Sequence, residues 1–371
     1  MPSSARKGLA AALLAALLGG AAAVHADWKL ALPGWQYEFP ADHGSHPGFK
    51  TEWWYFTGNV RTQEGREFGY QLTFFRQGIR PGATPPEVRS RFVTADLKFA
   101  HFAVSDLSRG KFAHFQKLSR GAYGEAGFVD GQRLAWIDGW TCALTAEHGF
   151  RLRAEDGGVA IDLELVSDKL PVFHGKDGVS QKAEGPGRAS HYYSLTRMST
   201  RGTVRMDGET FPVTGLSWFD HEWATNQLSA NQSGWDWLSL QFDDGTELML
   251  FQLRNTDGKR DPHSAGTFIG RDGRTEPLGV GDFTLTPGRT WKSPATAAVY
   301  PVVWTIGIPK LGLTLEVRAA LDDQELRLRP VSYWEGAVRA QGEASGRKVR
   351  GSGYLEMTGY AGPIAGMQAS E

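Results

Sequence analysis

A chain of 371 residues with a single cysteine, Cys142, has no intrachain disulfide. The fold must be held by packed cores, and Cys142 is expected to be a buried, inert apolar side chain. Neither charge is in excess: 40 Lys and Arg against 41 Asp and Glu give a net charge of −1, with the signs interspersed. That leaves no basic face for nucleic acid and no polyanionic tail. Long apolar runs are lacking beyond the N-terminus, so the mature chain is expected to have no transmembrane segment. No window of a dozen residues carries a convincing 3.6-residue apolar repeat, which argues against helices. Also missing are G-x-S-x-G, a P-loop and a complete G-x-G-x-x-G, which excludes the usual hydrolase elbow and nucleotide-binding loops. No cofactor is expected.

The N-terminus reads as an export signal. Arg6 and Lys7 precede Leu9–Ala23, almost wholly Ala, Leu and Gly, and Val24-His25-Ala26 is a small-residue cleavage pattern. Residues 1–26 are therefore expected to be removed, leaving a periplasmic or secreted protein. About 345 residues remain, enough for roughly two domains.

Glycine is abundant at 46 residues and aromatics make up 12%, a composition of short strands and tight turns. Phe150, Leu152 and Ala154 alternate with Arg151, Arg153 and Glu155. After Asp156-Gly157-Gly158, the apolar face resumes with Val159, Ile161, Leu163 and Leu165, which predicts a hairpin. Leu313, Leu315 and Val317 alternate in the same way. The mature chain is thus read as nearly all β. The Asn-, Gln- and Ser-rich segment Ala224–Gly234 suggests a boundary that divides it into 27–227 and 228–371. The polar loop Gly175–Gly187 is either a lid over a barrel mouth or a mobile surface loop.

Two aromatic clusters stand out: Glu52-Trp53-Trp54-Tyr55-Phe56-Thr57-Gly58, and Trp218-Phe219-Asp220-His221-Glu222-Trp223 followed by Trp235-Asp236-Trp237. Indole N–H groups want partners when buried, and acids among such rings either satisfy them or sit in an apolar pocket with shifted protonation. On a strand, Asp220 and Glu222 share a face roughly 6.5–7 Å apart while His221 points the other way. Two acids this close raise each other's proton affinity, so one is a candidate neutral acid at pH 7. Their alternative role is to accept hydrogen bonds from Trp, Arg or backbone groups. Asp236, opposite Trp235 and Trp237, is either a cavity wall residue or an outward charge. Glu52 shares a face with Trp54 and Phe56 and is a candidate for lining the pocket. His43 and His46, with Glu52 or Asp220, have zinc-ligand character, but they lie in a Gly/Pro loop rather than on a helix that fixes spacing. No metal is therefore assigned.

These residues carry a family resemblance. Phe39-Pro40-Ala41-Asp42-His43-Gly44-Ser45-His46-Pro47 with Glu52–Gly58 resembles the opening of the AttH-like and carotenoid 1,2-hydratase-like proteins. Ser190-His191-Tyr192-Tyr193-Ser194 and Gly215–Trp223 with Gly234–Trp237 are similar to their central block. Tyr333-Trp334-Glu335-Gly336 and Gly353–Tyr360 resemble their closing motif. The resemblance implies two tandem lipocalin-like (calycin-type) antiparallel β-barrels with an apolar ligand cavity near their junction. It implies hydration of an isolated double bond in a carotenoid or related isoprenoid, or action on polyketide-type substrates, and an ABC-transporter permease as a partner. The central block departs from the carotenoid enzymes at Glu222, where theirs look more like Asn, which points away from carotenoid itself.

The expected chemistry is acid-catalysed hydration of an apolar ligand. Asp220 is the acid and Glu222 raises its proton affinity. His221 takes part only if the strand turns it inward, and Asp236 orients the water. Glu52, Trp53, Trp54, Tyr55, Trp218, Trp223, Trp235 and Trp237 are the expected ligand-binding residues. The faces of Trp53, Trp223 and Trp235 would stabilise a cation, worth about 0.5–2 kcal/mol each. Two other classes remain open: a non-catalytic lipid or isoprenoid carrier of the envelope, and a glycoside hydrolase using paired acids.

Overall fold

The computed structural model describes residues 27–81, 94–128, 133–146 and 148–362, which form two large antiparallel sheets. The expected export signal, residues 1–26, lies outside the described residues. Helical structure among the described residues is confined to three-residue 3-10 turns.

The first sheet contains β1 (Thr51–Arg61), β2 (Glu67–Gly78), β3 (Asp96–Asp106), β4 (Lys111–Ser119), β5 (Ala126–Phe128), β6 (Arg133–Ile137) and β7 (Trp140–Leu144). It continues through β8 (Phe150–Asp156), β9 (Val159–Ser167), β10 (Val172–Phe173), β11 (Val179–Gln181), β12 (Ala189–Met206) and β13 (Glu209–Ala224). Its order is β4-β3-β2-β1-β13-β12-β9-β8-β7-β6-β5, with β10 and β11 added along β12. The edges curl back until β3 and β4 touch β6, so the barrel is nearly closed.

The second sheet contains β14 (Gln232–Phe242), β15 (Glu247–Asn255), β16 (Ala265–Ile269), β17 (Thr275–Leu278) and β18 (Thr284–Pro287). A separate ribbon, β19 (Thr290–Lys292) with β20 (Val299–Pro301), precedes β21 (Val303–Ile308) and β22 (Leu313–Ala319). Last come β23 (Glu325–Leu326), β24 (Tyr333–Ala344) and β25 (Arg347–Met357). The order β17-β16-β15-β14-β25-β24-β22-β21-β18, with β23 beside β24, makes a half-barrel.

The alternation explains the strands. In the β8–β9 hairpin, Leu152 pairs with Leu163 and Ala154 with Ile161, all buried. Burying a Leu in such a core is worth about 1.5–3 kcal/mol. The intervening Gly157 and Gly158 have φ of 52° and 82°, a left-handed turn that glycine adopts without a Cβ penalty. Cys142 is buried in the first barrel, where burial pushes its thiol well up.

Strand β1 decides what each face does, because directly paired residues of an antiparallel ladder share a face. Trp54 and Phe56 pair with His221 and Phe219 and point into the barrel core. Trp53 and Tyr55 pair with Glu222 and Asp220 and point outward, toward the second sheet. The sheets meet closely there. A Cβ at Gly69 would lie 2.7 Å from Tyr354 Oη and 2.9 Å from Ala337 Cβ, so only glycine permits the contact. Polar groups stitch the seam: Arg339 donates to Asn59 Oδ1 at 2.7 Å, and Gln241 donates to the Thr196 and Ser217 carbonyls at 2.8 and 2.9 Å.

The Gly175–Gly187 loop is partly ordered and partly inserted between the sheets. Its β11 pairs with β12, and Lys182 within it is buried between the sheets.

Candidate functional site

A cavity of about 510 Å³ opens between the outer face of the first sheet and the facing side of the second. Its wall is mostly aromatic and aliphatic, with Trp53, Phe75, Phe99, Trp235, Trp237 and Phe251 prominent. Into it come four carboxyls: Asp220 and Glu222 from β13 and Glu335 from β24, all buried, and the half-buried Glu356 from β25.

Strand alternation puts Asp220 and Glu222 on the cavity side, and Asp220 is held from three directions. Tyr192 Oη donates to its Oδ2 at 2.6 Å, Trp218 Nε1 donates to Oδ1 at 2.6 Å, and the Ser194 hydroxyl donates to Oδ1. Trp237 Nε1 donates to Tyr192 Oη at 3.1 Å, so one cavity indole steadies the phenol that steadies the acid. Burial raises the Asp220 carboxyl to about 7, with Glu222 adding to the shift and the three donors opposing it. Glu222 is also raised, chiefly by burial, while Lys182 and Ser190 draw it back. Lys182 Nζ lies 3.6 Å from Glu222 Oε2.

The opposite wall carries a second acid pair that the sequence reading did not assign. Glu335 and Glu356 are register partners, and Trp237 is the partner of Glu356 on its other side. Burial lifts Glu356 to about 8, and Asp220 and Glu222 add to the shift. Burial and the Glu356 charge hold Glu335 well above the carboxylate range, although the phenols of Tyr55 and Tyr333 stand close enough to weaken the effect. Even so, Tyr55 Oη and Glu335 Oε1 are buried without a hydrogen bond of good geometry. His101 bonds Tyr333 Oη through Nδ1 at 2.7 Å, and burial lowers its pKa to about 3, keeping it neutral. Glu335 and Glu356 both stand in the closing motif, and their alternation with Trp334 and Leu355 was the available signal.

Several expected site residues lie elsewhere. Glu52, Trp54, His221 and Trp223 face the interior of the first barrel, not the cavity. There Glu52 bonds His46 Nδ1 at 2.7 Å, His221 Nε2 at 3.2 Å and Arg76 Nε at 3.0 Å. Burial alone would raise Glu52, but His46, His221 and Arg76 outweigh it and hold the carboxyl far below its ordinary range. Trp223 stacks on His46 at 3.7 Å, and the Trp54 indole donates to the His43 carbonyl at 2.9 Å. The β13 strand stays regular, so His221 does not turn toward Asp220. The His43/His46 pairing does not form either. His46 joins Glu52 and His221 with side-chain ligand atoms within 4.8 Å of one another, while His43 Nδ1 bonds Tyr193 Oη at 2.7 Å. That cluster is closed on itself by Asp42, which bonds His46 Nε2 at 3.0 Å, and by Arg76.

Asp236 points into the second sheet's core side, away from Trp235 and Trp237. It pairs with Arg254 and accepts from Tyr360 Oη at 3.0 Å, so it cannot hold a water in the cavity. Trp218 is buried behind Asp220 as its hydrogen-bond donor and backs the cavity instead of lining it. Trp53, Tyr55, Trp235 and Trp237 are on the wall.

A nearly closed barrel packed on a half-barrel, with an acid-bearing apolar cavity at the seam, defines a lipocalin-like protein with the hydratase-type fold. The chain belongs to the AttH-like family, whose model matches residues 30–360. A crystal structure of a Nitrosomonas europaea protein assigned to AttH is 34% identical, with a TM-score of 0.80 over 90% of this chain and 99% of that one. Kievitone hydratase of Fusarium solani subsp. phaseoli is 23% identical over 223 residues, 58% of this chain and 62% of that protein, less than two thirds of its length. Dehydratase asqC of Emericella nidulans is 23% identical over 274 residues, 69% of this chain and 75% of that protein. The crystal structure of kievitone hydratase from Nectria haematococca has a TM-score of 0.69 over 91% of this chain and 97% of that one. At 16% identity it shares the fold.

Proposed function

We propose that this protein is an exported hydro-lyase that adds water to, or removes it from, a carbon–carbon double bond of a long apolar ligand. One observation carries the reading: Asp220 lies on the wall of an aromatic cavity with a pKa of about 7, so it can give and take a proton near neutral pH. Relatives named hydratase and dehydratase support the same reaction class.

The residues divide the work as follows. Asp220 protonates one carbon of the double bond, and the aromatic rings of Trp53, Trp235 and Tyr55 on the wall stabilise the resulting cation. Glu222 shares the Asp220 face, and Lys182 beside it opposes the upward pull of burial on its carboxyl, so it accepts the proton of the incoming water. The proton returns from Glu222 to its neighbour Asp220. Glu335 and Glu356, protonated on the opposite wall, donate hydrogen bonds to the water or the product hydroxyl, in place of Asp236. The reverse sequence is dehydration.

The test is turnover of an isoprenoid alkene by wild type and Asp220→Asn, with ligand retention followed by native mass spectrometry. The variant should bind the ligand and not convert it. A variant that kept full turnover would end the assignment. A carrier working with an envelope transporter would use the same cavity, and it would give binding without conversion in both proteins.

A further inference from the structure

The cavity holds one buried cation, Lys182, which the hydration scheme uses only as a counter-charge. Its surroundings are unlike those of a structural lysine, as a second lysine in this chain shows. Lys169 Nζ, also largely buried, is locked by the Gly245 carbonyl at 2.8 Å, Glu247 at 2.7 Å and the Gly270 carbonyl at 2.8 Å. Lys182 Nζ has the Glu222 carboxyl at 3.6 Å and otherwise two ring faces, Phe251 at 3.9 Å and Tyr192 at 5.1 Å from the centroids. An ammonium wants three acceptors, and this one is placed against apolar surface instead. Its root is fixed. The Lys182 N–H donates to the Arg188 carbonyl at 2.9 Å, and its own carbonyl accepts from Gln232 Nε2 at 2.8 Å. The amine is therefore held at a set place in the wall, beside an acid, in a space shaped for an apolar chain.

We propose that Lys182 is a covalent binding site for a carbonyl group carried on an apolar chain, an aldehyde above all, which it holds as a Schiff base. The proposal rests on the reading of the cavity as an apolar-ligand site. Burial lowers the lysine's proton affinity, which favours the amine, although Glu222 opposes this. Glu222 takes a proton from the Lys182 ammonium. The nitrogen lone pair then attacks the carbonyl carbon, a C–N bond forms, and the C=O π pair moves to oxygen. A proton passes from nitrogen to that oxygen and gives a carbinolamine. Glu222 returns its proton to the hydroxyl, which leaves as water while the nitrogen lone pair forms C=N. The sum is ammonium plus aldehyde giving iminium plus water, with the iminium paired to ionised Glu222. No oxidant or reductant takes part.

Decanal and sodium cyanoborohydride, applied to the mature protein at neutral pH, test this. The expected result is a single adduct, heavier than the protein by the mass of decanal less one oxygen and mapped to Lys182. Excess 1-decanol, which fills the cavity without reacting, should suppress it. Lys182→Arg should lose the adduct, and Glu222→Gln should form it more slowly. Native mass spectrometry with 1-decanol alone runs in parallel. Retained decanol with no label on Lys182 overturns the covalent proposal and leaves the cavity standing. Neither decanol nor label removes both. Label spread over surface lysines, or label on Lys182 that decanol does not reduce, also overturns it, and these wild-type readings do not depend on how any variant folds.

Discussion

Glu335 on β24 stands directly opposite Glu356 on β25, and both carboxyls stand on the wall of the same cavity, Glu335 buried and Glu356 half-buried. Burial raises both, the Glu356 charge adds to Glu335, and Asp220 and Glu222 add to Glu356. Like charges this close cannot both ionise cheaply, so the pair retains a proton at neutral pH. Infrared difference spectra should show a neutral carboxyl band at pH 7 that weakens in Glu335→Gln. Glu356→Gln should ease ionisation of Glu335. An unchanged band in Glu335→Gln would remove this pair as protonated hydrogen-bond donors.

The raised acids make stability fall with pH. The carboxyl of Asp220 moves from 3.8 to about 7 and that of Glu356 from 4.5 to about 8 on folding. Over that window the folded chain binds more protons than the unfolded one, so stability present below the lower values is lost as pH rises toward about 8. Asp220 alone accounts for at most about 4 kcal/mol. Glu52 works the other way. Its carboxyl is lowered, so its contribution is present above 4.5 and lost on acidification. Together these three groups place the highest urea midpoint near about pH 4, with a decline toward about pH 8. Asp220→Asn should flatten the alkaline decline.

Glu52 separates structure from chemistry. Glu52→Gln leaves Arg76 and His46 without their shared carboxylate inside the barrel, and breaking such a buried pair costs about 3–5 kcal/mol. The melting temperature should drop sharply while ligand affinity of the folded fraction stays near wild type. Equal loss of affinity would mean that the barrel interior, and not the seam, holds the ligand.

Trp237→Ala should weaken ligand binding and also slow turnover. The indole is part of the wall, and its N–H fixes the phenol of Tyr192 that donates to Asp220. Trp237→Phe, which keeps the ring and removes the donor, should restore most of the affinity and less of the rate. Isothermal titration and steady-state kinetics on both variants separate the two contributions. Equal recovery of both would remove the Tyr192 link.

For Asp220→Asn, loss of the acid should lower turnover by about 10²–10⁴-fold. Wild-type turnover of an alkene in the hydration direction should fall above an apparent pKa near 7, as Asp220 loses its proton. A flat profile across that range would transfer the acid role to Glu356.

Much of the fold was legible because period-two patterning is local. The β8–β9 hairpin and the alternation of Asp220, His221 and Glu222 follow from the order of residues alone. What the sequence could not say is which face of β1 is the inside. Both faces are aromatic, Trp54 and Phe56 on one and Trp53 and Tyr55 on the other, so Glu52 looked as well placed for a cavity as Asp220. Register with β13 settles it, and register is a tertiary fact. Asp236 was misplaced for the same reason, since its partner Arg254 lies on the next strand. Glu335, Glu356 and Lys182 reach the cavity only when the second sheet docks on the first.

The most direct measurement is mass spectrometry of products from an isoprenoid alkene turned over in deuterated water, with wild type and Asp220→Asn side by side. The account predicts that wild type forms an alcohol carrying one new carbon-bound deuterium and that Asp220→Asn forms none while still retaining the alkene. Retention of the alkene by both proteins, with neither alcohol nor deuterium in either, would contradict it.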